Sequence, residues 1–246
     1  MEDLPELLTA LASEQTRART AKNLRCIRGI RGVPQGEIAR IAAELWRSDP
    51  PQLPRDGPEL AAAFGAAWED GLIAIALLAT ALADDPPLAL QIGLDWAERT
   101  DDLLTADALG WLILAPCALL SSCEDEILAR LEPCRPEARR AAIAMGLGLL
   151  PLPVEGPAAA GLRAKHGIRH VQIVDHARSD RLAPLCSHLA RDPAPAIQKG
   201  LRRVLRAWGA HDPGALVRWA AEVKGGLPRM LSDEVRRTSR RHAGSP

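Results

Sequence analysis

Asp107 is the residue of this chain best placed to do chemistry. It is the only charged side chain in the 18 positions from Leu103 to Leu120, LLTADALGWLILAPCALL. A carboxylate in an apolar helical run loses hydration when the helix is buried, so a partner or a cationic ligand must compensate. Asp107 is therefore either a structural acid with a donor elsewhere in the chain or a poised functional group. A second constellation is cationic. Lys199, Arg202, Arg203 and Arg206 fall at i, i+3, i+4 and i+7 of one helical stretch, with no acid among them. Such a stripe repels itself; a solvated face tolerates this, and a phosphate backbone converts it into attraction. Arg139 and Arg140 begin another stretch, and Arg236, Arg237, Arg240 and Arg241 stripe the last one. Each cluster alone is as readily a solvated surface. Three in one half of the chain favour a polyanionic partner.

Other groupings are weaker. His166 and His170 stand four apart, with Asp175 and His176 nearby. A helical pair at that spacing can hold zinc, but Gly167 disfavours helix between them and no fourth ligand is evident. Cys186 and His188, two apart, point away from each other on a helix. Cys117 reads as a small core residue. The chain has neither a phosphate-binding glycine loop nor a dinucleotide fingerprint. Neither metal nor cofactor is expected.

The elements that must position these residues are helices. Apolar residues make up 47% of the 246, with one Phe, no Tyr and six Trp, so Leu, Ala, Ile and Val must build the core. Leu-Ala richness favours helix, because these side chains lose little rotamer freedom there. Asp-Pro pairs at 49–50, 85–86, 192–193 and 212–213 suit helix starts, Asp as cap and Pro in the first turn. Pro34, Pro58 and Pro136 are read as opening further helices. The predicted helices are 4–24, 34–47, 58–69, 72–83, 87–99, 103–120, 124–131, 136–149, 169–178, 181–191, 195–209, 213–223 and 231–242. Only His170–Val174 could pass for a strand. In 195–209 the apolar stripe Ile197, Leu201, Val204, Leu205, Trp208 lies opposite the cationic one. Short helices at a spacing of about 15–20 residues predict an all-α fold, an α-solenoid of stacked antiparallel helix pairs. One domain, 1–246, is expected, with a loop or hinge at 150–167.

The formal net charge of zero hides a partition. Residues 1–134 carry 11 basic and 22 acidic side chains; residues 135–246 carry 20 and 9. Basic residues also gather early, at Arg17, Arg19, Lys22, Arg25, Arg28 and Arg31. Two oppositely charged regions of one fold, or a polyanion on the basic parts, would each account for this. Five cysteines without a CxxC pair, and the acidic start MEDLPELL, predict a reduced cytoplasmic protein without a secretory signal. Asp107 and Pro116 interrupt the longest apolar run, and Gly71–Ala83 is short, so no membrane span is expected.

Several segments together resemble the AlkD-like alkylpurine DNA glycosylases, which are built from HEAT-like repeats. They are TDDLLTADALGWLILAP at 100–116, EARRAAI at 137–143, AIQKGLRRVLRAWGAHDPGALVRWA at 196–220 with LSDEVRRTSRR at 231–241, and GIRGVPQGEIARIAAELW at 29–46. No single motif is strict; their co-linear order over about 20–242 carries the resemblance. It implies a stack of helical pairs with double-stranded DNA in a basic groove. It implies hydrolysis of the N-glycosidic bond of cationic N3- or N7-alkylated purines, by a monomer without metal or cofactor. The positive base weakens its own bond, and a carboxylate stabilises oxocarbenium character at the sugar.

By the same resemblance, Asp107 matches the catalytic carboxylate. Arg140 and Arg206 match phosphate-holding arginines, and Lys199 lies on the same basic helix; Arg139 and Arg202 extend that phosphate set. The positions where relatives line the lesion with Trp, Trp and Tyr are Leu103, Arg203 and Asn23 here. Cation–π attraction of ~0.5–2 kcal/mol per ring would be lost. Trp111, one turn beyond Asp107, is either core packing or a replacement ring. These departures leave three possibilities: a diverged glycosylase, a DNA-binding paralogue without hydrolysis, or a protein-interaction scaffold. A bare Asp107 at the surface, uncovered by Arg203, would favour the first; Arg203 paired with Asp107 would favour the second; Asp107 sealed inside or locked to a guanidinium would defeat hydrolysis by a bare carboxylate.

Overall fold

The computed structural model describes residues 4–24, 28–150, 179–223 and 226–243, without the side chains of 23, 179–180 and 241–243. The expected hinge at 150–167, helix 169–178, strand 170–174 and the His166, His170 and His176 grouping lie, from residue 151 onward, outside the described residues.

The described chain is all-α, with no strand among the described residues. In order, the helices are α1 Leu4–Leu11, α2 Glu14–Asn23, α3 Gln35–Ser48, α4 Leu53–Ala66, α5 Trp68–Ala81 and α6 Pro86–Arg99. They continue as α7 Leu103–Ser121, α8 Glu124–Leu131, α9 Pro136–Gly148, α10 Ser179–Leu189, α11 Pro195–His211, α12 Pro213–Glu222 and α13 Arg229–Ala243. Asp85 and Asp212 each accept a backbone N–H three residues on, as N-caps ahead of a proline. The expected helix 4–24 is two helices, because Ser13 caps a new start by accepting the Thr16 N–H. Helix α4 begins at Leu53 rather than at Pro58, which sits one turn inside.

Neighbours follow a simple order. α3, α5, α7, α9, α11 and α13 touch successively, and α4, α6 and α8 touch successively against one side of them. α11 shows how such a helix is surrounded. Gly200 faces Arg140 and Ile143 of α9, Val204 lies by Gly146 of α9, Gly209 faces Thr238 of α13, and Ile197, Leu201, Leu205 and Trp208 are buried. Lys199, Arg203 and Arg206 remain on the open front. Trp68, Trp96 and Trp208 are buried core, and Phe64 stacks on Trp96 with centroids 4.5 Å apart.

α7 is the central helix and is not uniform. Leu103–Leu109 is α, Gly110–Leu114 is π, and Ala115–Ser121 is α again. Pro116 supplies the cause. It has no N–H to give the residue 112 carbonyl, and in a regular helix its ring would collide with that carbonyl. The helix widens one turn earlier, and the Ala115 N–H reaches back five residues to Gly110. α7 is long and apolar enough to cross a membrane by length and composition. Its most apolar window is 61% buried within the bundle, as expected of a core helix.

Candidate active site and nucleic-acid face

The start of α7 is fixed from two sides. Asp102 accepts the N–H groups of Leu104 (3.0 Å) and Thr105 (2.8 Å) as N-cap, and the Thr105 hydroxyl at 2.6 Å. Arg28, from the segment before α3, donates to Asp102 (3.0 Å), to Thr105 Oγ1 (2.9 Å) and to the Phe64 carbonyl (3.1 Å). That segment is itself held by α5. The buried Glu69 accepts the backbone N–H groups of Arg31, Gly32 and Val33, and Asp70 takes the Arg31 guanidinium at two points. Gly32 sits at φ +94°, where a side chain would also strike the Ser13 carbonyl. The register of α7, and hence the height of Asp107, is thus tied to the N-terminal segment.

Two glycines then set the flanks. A Cβ on Gly110 would fall 2.2 Å from the Ala141 carbonyl oxygen and 2.5 Å from the Ala144 methyl, so α7 and α9 meet almost backbone to backbone there. One turn earlier on each helix, this contact brings Asp107 opposite Arg140. Arg140 Nε donates to Asp107 Oδ1 at 2.7 Å and Nη2 to Oδ2 at 3.2 Å. On its other side, Arg140 lies against α11, where a Cβ on Gly200 would meet its Nη1 at 2.2 Å. Arg140 is wedged between the helices with 6% of its side chain exposed, whereas Asp107 keeps 21%.

The open part of α7 is narrow. From Leu103 to Leu114, only Leu103, Leu104, Asp107 and Trp111 reach solvent. Leu103 is 44% exposed, and Trp111 is partly exposed where Trp68, Trp96, Trp208 and Trp219 are buried. A carboxylate that is one-fifth exposed is thus flanked along one stripe by a leucine and an indole. This stripe could receive a flat, cationic, partly apolar group. Asn23, expected beside it, has no described side chain.

The expectation that Asp107 might be left bare is corrected: a guanidinium holds it, and that guanidinium belongs to Arg140 rather than Arg203. The sequence gives Arg139 and Arg140 as phosphate contacts, yet both face acids. Arg139 donates to Asp192 at 2.6 and 3.2 Å and to the Cys134 carbonyl, while Asp192 also accepts the Ala194 N–H ahead of α11. Neither guanidinium is an open phosphate donor here. Burial next to an acid cannot be read from a helical wheel, because the acid lies on another element.

The α11 stripe divides as well. Lys199 and Arg203 are exposed and have no acidic partner among the described residues. Arg202 and Arg206 converge on Glu234 of α13, an acid that no pattern in the sequence singles out. Arg202 Nε donates at 2.5 Å, Arg206 Nε at 2.9 Å and Nη2 at 3.2 Å, with Arg237 Nη1 at 3.5 Å. The Arg206 and Arg202 hydrogen bonds hold the Glu234 carboxyl down at about 2 against its burial.

Asp107 lines neither of two clefts in the fold. One, of about 310 Å³, lies by Leu131, Arg139 and His188; the other, of about 640 Å³, lies by Pro54, Ile92 and Trp96. Cys186 is fully enclosed and its thiol is pushed up by burial, away from nucleophilic use. Among the described residues, no three His, Cys, Asp or Glu side chains are grouped to hold a metal.

Comparison with known families gives one match. The family model described as DNA alkylation repair enzyme matches residues 4–245. No curated protein and no solved structure gives a significant match. With nearly its whole length covered, the chain belongs to the DNA alkylation repair enzyme family.

Proposed function

We propose that this protein is a DNA glycosylase that releases cationic alkylated purines from duplex DNA, on the open face of a HEAT-like solenoid. The order of helix neighbours supports that architecture, and the cations of α11 and α13 supply a face for the backbone. The reaction breaks the C1′–N9 bond, and the bonding pair neutralises the departing base. Water adds to C1′ and gives its proton to solvent. Asp107, 21% exposed, faces the positive charge that builds at the sugar, and Arg140 fixes its direction, so the carboxylate acts as the oriented member of an ion pair rather than as the bare group the sequence suggested. The observation that carries this reading is the α7 stripe, where Asp107 is the one charged group to reach solvent, between Leu103 and Trp111.

A second reading, DNA binding without hydrolysis, is favoured by the same ion pair. Arg140 offsets much of the Asp107 charge, and by the family resemblance Arg203 and Leu103 take positions where relatives carry rings that would attract a cation. One experiment separates the two. Duplex DNA carrying 7-methylguanine is incubated with the protein and probed for heat-labile abasic sites. Abasic product that disappears in Asp107→Asn supports the glycosylase. Salt-sensitive binding without product supports the second reading, and no affinity at ~50 mM salt removes both, because counterion release is strongest there.

A further inference from the structure

Glu234 is the most deeply buried acid of the basic half that meets more than one cation. Its side chain is 1% exposed, while Arg202, Arg206 and Arg237 around it keep 34%, 53% and 49%. A buried carboxylate among three half-exposed guanidiniums is not the only contact that holds these helices together. Gly209 already lets α11 meet Thr238 of α13, one turn beyond Glu234, at a separation no Cβ would allow. The geometry has a more specific result. Arg202 gives only Nε to Glu234, and Arg206 gives Nε and Nη2, so each guanidinium is anchored along one edge. The remaining N–H groups, both Nη atoms of Arg202 and Nη1 of Arg206, have no acceptor among the described residues. A guanidinium fixed in this way has already lost the rotamer freedom that an anion would otherwise have to remove.

We propose that Glu234 is a positioning residue. It gathers Arg202, Arg206 and Arg237 into one preorganised clamp for a phosphate of the DNA backbone. Three cations on one carboxylate leave the cluster net positive. Around α11, at 100° per residue, Arg206 and Lys199 lie about 40–60° beyond Arg202, and Arg203 a further ~40°, toward the flank that Gly200 presents to Arg140. The clamp is therefore the far end of a cationic track that runs from the Asp107–Arg140 pair across α11 to α13. The carboxylate stays ionised throughout neutral pH, held down by the arginines it organises. This inference rests on the DNA-binding part of the proposed function.

The test turns on sign. Glu234→Gln adds one positive charge to the protein, and by charge alone it should tighten DNA binding by several-fold at low salt. If Glu234 positions the clamp, binding instead weakens, by roughly 5- to 20-fold, and the salt dependence becomes shallower as ordered phosphate contacts are lost. Asp233→Asn, on the same helix with a half-exposed side chain, makes the same charge change without touching the clamp and should bind as tightly as the parent or more tightly. Glu234→Asp keeps the charge but withdraws the carboxylate by one methylene, and should also weaken binding. Each variant is measured by duplex-DNA titration between 50 and 200 mM salt, alongside a thermal melt. If both Glu234 variants fold and bind as tightly as the parent or more tightly, the clamp is wrong and DNA binding stands. If the parent itself shows no salt-dependent affinity, the proposed function fails first.

Discussion

Arg140 meets Asp107 side-on, Nε to Oδ1 at 2.7 Å and Nη2 to Oδ2 at 3.2 Å, so that both carboxylate oxygens are engaged and the planes are fixed relative to each other. A two-point contact sets direction as well as charge. Arg140→Lys keeps the charge but loses the fork, and Arg140→Met loses both. We expect Arg140→Met to cost about 1–3 kcal/mol of stability, since a mostly covered carboxylate is left unpaired. We expect single-turnover release of 7-methylguanine to fall about 10- to 100-fold in both variants, because orientation is what they share in losing. Urea unfolding and a quench assay read the two effects separately. Parent-like turnover in Arg140→Lys would remove orientation as the reason for the pair.

Gly110 and Gly200 sit on opposite sides of Arg140 and should respond differently to alanine. At Gly110 the added methyl meets the Ala141 carbonyl oxygen at 2.2 Å and the Met145 amide at 2.9 Å, and backbone cannot swing aside. Gly110→Ala should lower stability by about 1–3 kcal/mol as α7 is pushed from α9. At Gly200 the nearest atom is the tip of the Arg140 side chain, followed by Ile143 Cδ1 at 2.8 Å. Gly200→Ala should therefore lose less stability than Gly110→Ala, through a disturbed Asp107–Arg140 pair rather than a parted backbone, and release base more slowly as the guanidinium shifts on Asp107. Equal loss of stability in the two variants would contradict this separation.

The sequence made some of this visible and hid the rest for physical reasons. The helices were legible, because apolar periodicity and Asp-Pro starts are local signals; 195–209 and 213–223 differ from α11 and α12 by one or two residues. Asp107 stood out because a lone charge in an apolar run is also a local anomaly. Its partner did not, since Arg140 is 33 positions away and the contact depends on two close helix approaches at Gly110 and Gly200. Glycines inside helices carry no pattern that says which neighbour they admit. The four cations of α11 looked alike in sequence, and only the fold separates Arg202 and Arg206, tied to Glu234, from Lys199 and Arg203, which have no acidic partner among the described residues. The helix expected over 103–120 does run through Pro116, but the π turn that absorbs the proline has no local signal beyond the proline itself.

Acid stability offers a check on Glu234 that is independent of DNA. Its carboxyl is lowered from 4.5 to about 2 in the folded state, chiefly by the hydrogen bond from Arg206. A depressed carboxyl contributes stability that is complete above its unfolded value and is lost as pH falls through the folded one. The contribution should therefore be constant at neutral pH and fade between about pH 4.5 and pH 2. It amounts to at most about 3 kcal/mol, and less because the Arg206 side of the pair is half in water. Unfolding free energies of the parent and Glu234→Gln, followed from pH 7 to pH 3, should converge as the pH drops. A constant gap across that range would mean that the glutamate contributes by packing and not by charge.

Trp111 tests whether the α7 stripe receives the base. Its indole is partly exposed four residues after Asp107, next to the turn that the π segment widens. If a cationic purine lies over that ring, Trp111→Leu removes a cation–π contact of ~0.5–2 kcal/mol, or about 2- to 30-fold in rate. Trp111→Phe keeps a ring and should retain most of the rate. Because the residue packs on the core along its other edge, both substitutions carry a packing cost, and their melting temperatures should fall by similar amounts. The discriminating quantity is the ratio of release rates at matched stability. With Asp107→Asn inactive and the Leu and Phe variants equally fast, the base must lie elsewhere along the stripe, on the side of Leu103.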